Sequence, residues 1–149
     1  MTAFADSSAL VKLYADESGA DAVRRLELIV VSELARVEVP AAVWKKHRLG
    51  EISAHHAAIL VAEFEADYFG TDDEPARFVV ITATPQVLDE AARLTARHGL
   101  RAYDAVQLAC AGATRDAAAE RIAFAAFDKA LLEAAAAEGH DLLPGDTSA

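Results

Sequence analysis

The sequence predicts an α/β domain with a mostly parallel sheet sandwiched between helices. Three observations predict it. Short apolar or β-branched runs (Ile29-Val30-Val31, Phe78-Val79-Val80-Ile81 and Ile122 to Phe127) recur along the chain. Stretches of helical periodicity separate them, so strands alternate with helices, the pattern that builds a parallel sheet. The 149 residues, 54% hydrophobic and 26% charged, make about one ordinary domain and can bury a core without staples.

The elements follow in order. Thr2 to Asp6 reads as a first strand, and a helix follows at once, with Ser7 or Ser8 as cap and Leu10, Val11 and Leu13-Tyr14 as its apolar face. Ser18-Gly19-Ala20-Asp21 marks a break and a new helix start, with Val23, Leu26 and Leu28 facing inward. Ile29-Val30-Val31 is the second strand. Ser32 then caps a helix that carries Leu34 and Val37 onward to Trp44. Pro40 lacks the backbone donor and disfavours helix before it, which predicts a kink near Glu38-Val39 or a restart at Pro40. Gly50 ends that segment, and Ser53 caps a helix to about Tyr68 on which Ile59-Leu60 and Phe64 are apolar. Gly70 to Pro75 is a polar acidic loop.

Phe78 to Ile81 is the clearest strand, and Thr84-Pro85 opens a helix that runs to His98 and stops at Gly99. Tyr103 to about Ala113 is a helix of small residues, and Ile122 to Phe127 is a strand. An alanine-rich helix from Leu131 to Glu138 is closed by Gly139, before a short last strand at Asp141-Leu142-Leu143. One domain is expected over 1–143, with 144–149 as a flexible C-terminal tail. No internal repeat or linker divides the chain.

The totals exclude some functions. Apolar runs fall short of the ~18 residues a membrane helix needs. The N-terminus shows no basic region followed by an apolar stretch, so a cytoplasmic location is expected. The single cysteine, Cys110, forms no internal disulfide and reads as a buried, inert thiol. Fourteen basic against 24 acidic residues leave a net charge of −10, which argues against a nucleic-acid coat protein. It does not exclude a nuclease, because acidic metal ligands add to the negative total and RNA can be gripped by a local basic patch.

Ligands of an open parallel sheet bind beyond the carboxyl ends of its strands. Asp6 ends the first strand, Asp128 follows the strand Ile122 to Phe127, and Asp104 lies in the first turn of a helix. Glu38 sits inside the apolar stretch Leu34-Ala35-Arg36-Val37-Glu38-Val39. Singly, each has an ordinary explanation. Asp6 and Asp128 suit turns or helix caps, Asp104 suits the helix dipole, and Glu38 can point to solvent. Together they are more telling. Carboxylates converging at one sheet edge repel one another, which raises their pKa values or calls for a cation. Mg²⁺ prefers such oxygen ligands, and metal-bound water cuts phosphodiesters without a serine or histidine nucleophile.

Four blocks carry a family resemblance: Asp6-Ser7-Ser8-Ala9-Leu10-Val11-Lys12-Leu13-Tyr14, Ser32-Glu33-Leu34-Ala35-Arg36-Val37-Glu38-Val39, Gly99-Leu100-Arg101-Ala102-Tyr103-Asp104-Ala105-Val106-Gln107-Leu108-Ala109 and Ala126-Phe127-Asp128-Lys129-Ala130-Leu131. They come in the family's order and span nearly the whole chain, the third being the most specific. The sequence resembles PIN-domain proteins, most closely the VapC-type toxin ribonucleases of bacterial toxin–antitoxin pairs. The resemblance implies a PIN-like α/β/α sandwich, Mg²⁺ or Mn²⁺ dependence, endonucleolytic cleavage of RNA, a homodimer and a small VapB-like antitoxin. It makes Asp6 and Asp104 metal ligands, Glu38 a third ligand or the group that orients water, and Asp128 a ligand acting partly through water. Ser8 takes the family's small hydroxyl position beside the first aspartate. One position departs: the family often has Thr or Ser two residues before the fourth acid, where this chain has Ala126. A hydroxyl that supports the site is missing, and this bears on Asp128 most.

Other groups are weighed beside these. Lys45-Lys46-His47-Arg48, with Arg24 and Arg25, is either an RNA-phosphate contact or a solvated helix end. Adjacent His55-His56 on a helix point apart and read as plain surface. Trp44, Phe64, Tyr68 and Phe69 suit core packing, or else an antitoxin groove or dimer face. Two alternatives remain to a metal-dependent ribonuclease. A PIN fold can bind RNA or a partner without cutting. A haloacid-dehalogenase-type phosphatase shares the aspartate after the first strand, but needs Asp-x-Asp where this chain has Asp6-Ser7-Ser8.

Overall fold

Five strands and seven α-helices make up residues 1–145, the part of the chain that this computed structural model describes. Of the tail expected over 144–149, residues 146–149 lie outside the described residues. The strands β1 (Thr2–Ala5), β2 (Leu28–Ser32), β3 (Phe78–Ile81), β4 (Ala123–Ala125) and β5 (Asp141–Leu143) form one sheet in the order β3-β2-β1-β4-β5. Every pair is parallel. The chain winds from β1 through β2 to β3, then returns to lay β4 against the other side of β1. That reversal places the topological switch point between β1 and β4, where an open parallel sheet leaves a crevice beyond its carboxyl ends.

Side chains alternate across the strands and divide the core in two. On one side Ala3, Ala5, Ile29, Val31, Ala123 and Ala125 meet Leu10, Val23, Val39 and Phe64. These come from α1 (Ser7–Leu10), α2 (Ala20–Arg24), α3 (Ala35–Arg48) and α4 (Ala54–Phe69). A 3-10 turn, Val11–Leu13, continues α1. On the other side Phe4, Val30 and Phe124 meet Leu94, Leu108 and Leu131, carried by α5 (Pro85–His98), α6 (Ala102–Ala117) and α7 (Lys129–Ala137). Phe4 and Phe124 stack across the β1–β4 junction with ring centroids 5.9 Å apart. A sheet covered on both faces explains why its strands read as unbroken apolar runs. The α/β/α sandwich expected from the sequence is the architecture found. Among the described residues no helix is long and apolar enough to cross a membrane.

Several local expectations are corrected. The first helix is capped by Asp6, not by Ser7 or Ser8: its carboxylate accepts from the Ala9 N–H. Leu28 is not an inward helix residue but opens β2 with its side chain exposed. Val37 is exposed as well, because the buried stripe of α3 is Ala35, Val39 and Val43 at helical spacing. Of the two outcomes expected at Pro40, the restart does not occur: α3 runs unbroken to Arg48. The carbonyl that Pro40 cannot bond is that of Arg36, an exposed residue whose carbonyl water can satisfy, while Val39 and Val43 hold the helix to the core. Strand β4 is shorter than Ile122 to Phe127. Helix α6 is longer than predicted, running to Ala117. The caps Ser53 and Thr84 and the stop at Gly99 (φ +65°) stand where the sequence puts them.

The aromatic group divides. Phe64 is fully buried. Trp44 packs with the small α3–α4 cluster and meets His47 edge-on. Tyr68 leans on Phe64, and Phe69 is exposed with Arg36 over its ring. His55 and His56 are exposed, and Cys110 is fully buried.

Candidate active site

The four acids reach the carboxyl edge of the sheet by different local routes. Asp6 follows β1 directly. Its backbone N–H donates to Ala125 O (3.0 Å), so it is clamped at the β1–β4 junction. As N-cap of α1 its Oδ1 accepts from the Ala9 N–H (3.0 Å) and from Ser8 Oγ (2.6 Å). Ser8 Oγ in turn accepts from the Phe127 N–H (2.9 Å). One hydroxyl therefore ties the end of β1 to the segment after β4, across the switch point. Asp6 is 4% exposed. Burial, assisted by the nearby Glu38 and Asp104 carboxylates, pushes its pKa up from 3.8 to about 6 against the lowering effect of the Ser8 and Ala9 bonds.

Glu38 lies in the first turn of α3, reached from the end of β2 through a turn in which Ser32 Oγ accepts from the Leu34 N–H (3.2 Å). Its Oε1 accepts from Gln107 Nε2 (2.7 Å). Burial raises its pKa too, and Asp104 adds to that rise. Gln107, 1% exposed, also donates to Ser7 Oγ (3.2 Å). Its own Oε1 is the buried side-chain atom left without a partner among the described residues. A buried carbonyl unmet by a donor costs about 1–3 kcal/mol. That cost accompanies an amide whose two N–H groups are committed to Glu38 and Ser7.

Asp104 sits in the first turn of α6, and Asp128 caps α7 by accepting from the Leu131 N–H (2.9 Å). The Arg101 guanidinium spans them, 3.1 Å from Asp104 Oδ2 and 3.6 Å from Asp128 Oδ2. Glu38, Arg101, Ala102, Tyr103 and Asp104 line an open depression of about 340 Å³. Asp6, Glu38 and Asp104 thus feel one another's charge, and Asp128 joins them through Arg101. Ala126, fully buried, packs into the apolar core beside Leu131 rather than offering a polar group.

The donor set fits a hard cation by its chemistry, since every candidate ligand is a carboxylate or hydroxyl oxygen. Among the described residues no group of three or more His, Cys, Asp or Glu side chains stands close enough together to hold a metal ion. Mg²⁺ commonly binds through one or two carboxylates and keeps several waters, so it needs no closed cage of three.

The basic stretch is less free than its sequence suggests. Lys46 pairs with Glu17 (2.7 Å) and Glu51 (3.6 Å), and Arg24 pairs with Asp16 (2.7 Å). Sequence reasoning missed Gln107 and Arg101 as members of the site. For Gln107 a signal existed: a lone amide among Ala105, Val106, Leu108 and Ala109, three residues after Asp104 and so on the same helix face.

No family model matches the chain, and no curated protein matches it significantly. Solved structures do. The crystal structure of PAE2754 from Pyrobaculum aerophilum is 23% identical, with 97% of this chain and 90% of that chain covered and a TM-score of 0.67. A chain of a toxin–antitoxin complex from Klebsiella pneumoniae is 17% identical, covering 85% of this chain and 87% of that one, with a TM-score of 0.56. At these identities the likeness is one of fold alone: a single all-parallel α/β domain.

Proposed function

We propose that the protein is a Mg²⁺-dependent endoribonuclease, with Mn²⁺ as a possible substitute, and the toxin of a toxin–antitoxin pair. The observation that carries this reading is Asp6, a nearly fully buried carboxylate at the switch point whose pKa is pushed up to about 6 beside Glu38 and Asp104. A nearby cation would favour the ionised form of such a group. The fold shared with a chain of a toxin–antitoxin complex supports the biological half of the reading. A small VapB-like antitoxin and a homodimeric assembly belong to the same proposal.

Asp6, Asp104 and Glu38 would hold the ion, with Asp128 reaching it through water. When bound, the ion supplies Lewis-acid polarisation of a phosphate oxygen and a water of lowered pKa. The chain's own residues do the rest. Ser8 fixes the Asp6 carboxylate by donating to Oδ1, so Oδ2 is the oxygen it presents. Gln107 fixes Glu38 by Oε1 and leaves Oε2 to orient water and take its proton. The raised pKa of Glu38 makes it a better base near neutral pH than an ordinary carboxylate.

Induced expression in a bacterial host tests the reading. Growth arrest with discrete fragments in the cells' total RNA is expected from the parent chain, and neither from Asp104→Asn. Equal arrest by both chains would refute it. One observation favours a binding module instead: Arg101 already offers its charge to Asp104 and Asp128. That reading predicts tight RNA or partner binding with no cleavage in any divalent metal.

A further inference from the structure

Tyr103 is 63% exposed, although it stands in the first turn of a helix whose following residues, Ala105 to Ala111, are all buried. Arg101, two residues earlier, is 81% exposed along its side chain. Both line the depression that Glu38 and Asp104 share. An aromatic ring left in water on the wall of an acidic depression does nothing for the fold. An exposed guanidinium paired at 3.1 and 3.6 Å with surface-accessible carboxylates is weakly held, since exposed ion pairs contribute about 0–1 kcal/mol. Ring and guanidinium together match one ligand chemistry. A nucleobase stacks on the ring, and its phosphate takes the guanidinium.

We propose that Arg101 and Tyr103 form a binding subsite for an unpaired nucleotide of single-stranded RNA, next to the acid cluster. This rests on RNA being the ligand and does not depend on cutting. The acids repel a polyanion, so the chain needs a local cation at this edge, and Arg101 is the one the depression contains. Stacking needs a base free of its helix, so duplex RNA presents nothing to Tyr103. The subsite therefore selects loops, bulges and ends. In this arrangement Arg101 exchanges its carboxylate partners for a phosphate when RNA arrives, and the carboxylates it leaves gain room for a cation.

The test is binding of a short mixed-sequence oligoribonucleotide carrying 2-aminopurine, followed by anisotropy and by quenching of the base. It is run in chelator, and again in Ca²⁺, for the parent chain, Tyr103→Ala, Tyr103→Phe and Arg101→Ala. Stacking on an aromatic side chain predicts that Tyr103→Ala weakens binding roughly 5- to 100-fold and abolishes quenching. Tyr103→Phe retains both. Arg101→Ala flattens the salt dependence by about 0.7 in log–log slope, the share of one single-strand phosphate. A duplex of the same sequence shows no difference between the parent chain and Tyr103→Ala. Parent and Tyr103→Ala binding the single strand equally would overturn the subsite and leave the nuclease reading standing. A parent chain that binds no single strand in either buffer overturns the subsite too. Binding with the predicted pattern but no cleavage in any metal would leave the subsite standing and sink the nuclease.

Discussion

Replacing Asp6 by asparagine should make the metal-free protein more stable, and the gain should vanish in acid. Asparagine caps helices as well as aspartate does, and its carbonyl can still accept from Ser8 Oγ and the Ala9 N–H, so the exchange mainly removes a buried charge. The rise of the Asp6 pKa from 3.8 to about 6 corresponds to roughly 3 kcal/mol. The sign follows from linkage. A carboxyl whose folded pKa lies above its unfolded value stabilises the fold fully below pH ~4, and that contribution is lost as pH rises through ~6. At pH 8 the parent chain therefore carries the whole penalty of an ionised Asp6, and Asp6→Asn carries none. For a domain of this size, about 2–4 °C of Tm per kcal/mol gives a gain on the order of 10 °C at pH 8. The gain should shrink toward zero by pH 4. Thermal melts of both chains in chelator, from pH 4 to 8, measure it. Saturating Mg²⁺ should close most of the gap at pH 8 by compensating the charge. A variant no more stable than the parent at pH 8, or a difference that ignores pH, would refute the account of Asp6.

Other predictions bear on the supporting residues. Ser8→Ala removes the donor to Asp6 and the acceptor of the Phe127 N–H, and should cost about 1–3 kcal/mol in urea unfolding while raising the Asp6 pKa further. Gln107→Leu frees Glu38 and removes the orphaned carbonyl at once, so stability should change by less than about 1.5 kcal/mol while cleavage falls at least ~10-fold, read as kcat with KM little changed. Gln107→Glu sets a second carboxylate against Glu38 and should destabilise the fold at neutral pH but much less in acid, seen by urea midpoints at pH 7.5 and 4.5. His140 is held neutral by burial and by Arg115, its pKa pushed down to about 4, so the fold should lose stability as pH falls from 6.5 to 4. His140→Gln should remove that loss, which in the parent chain opposes the acid-side gain from Asp6.

Much of the fold was legible because its signals are local. Phe78 to Ile81, the Thr84-Pro85 start and the Gly99 stop are written in a few adjacent residues, and the structure keeps them. Failures came where tertiary packing decided. Pro40 does not restart the helix because Val39 and Val43 anchor it on both sides, and no local rule weighs that contact. The apolar residues of α3 do not say which of them turn inward; the stripe of Ala35, Val39 and Val43 does, and Val37 lies outside it. Asp6, Asp104 and Asp128 stand at helix starts, where local signals put them. What holds Glu38 is not local, since the Gln107–Glu38 bond joins residues 69 apart in sequence. Arg101 looked like part of a motif, and only the fold shows it spanning Asp104 and Asp128.

The most direct test strips metal from the purified chain and incubates it with total RNA, with and without Mg²⁺ or Mn²⁺, beside Asp104→Asn. The account predicts discrete fragments that need the metal and are absent with the variant. A folded, metal-supplied protein that leaves every RNA intact, or a variant that cuts as well as the parent, would contradict it.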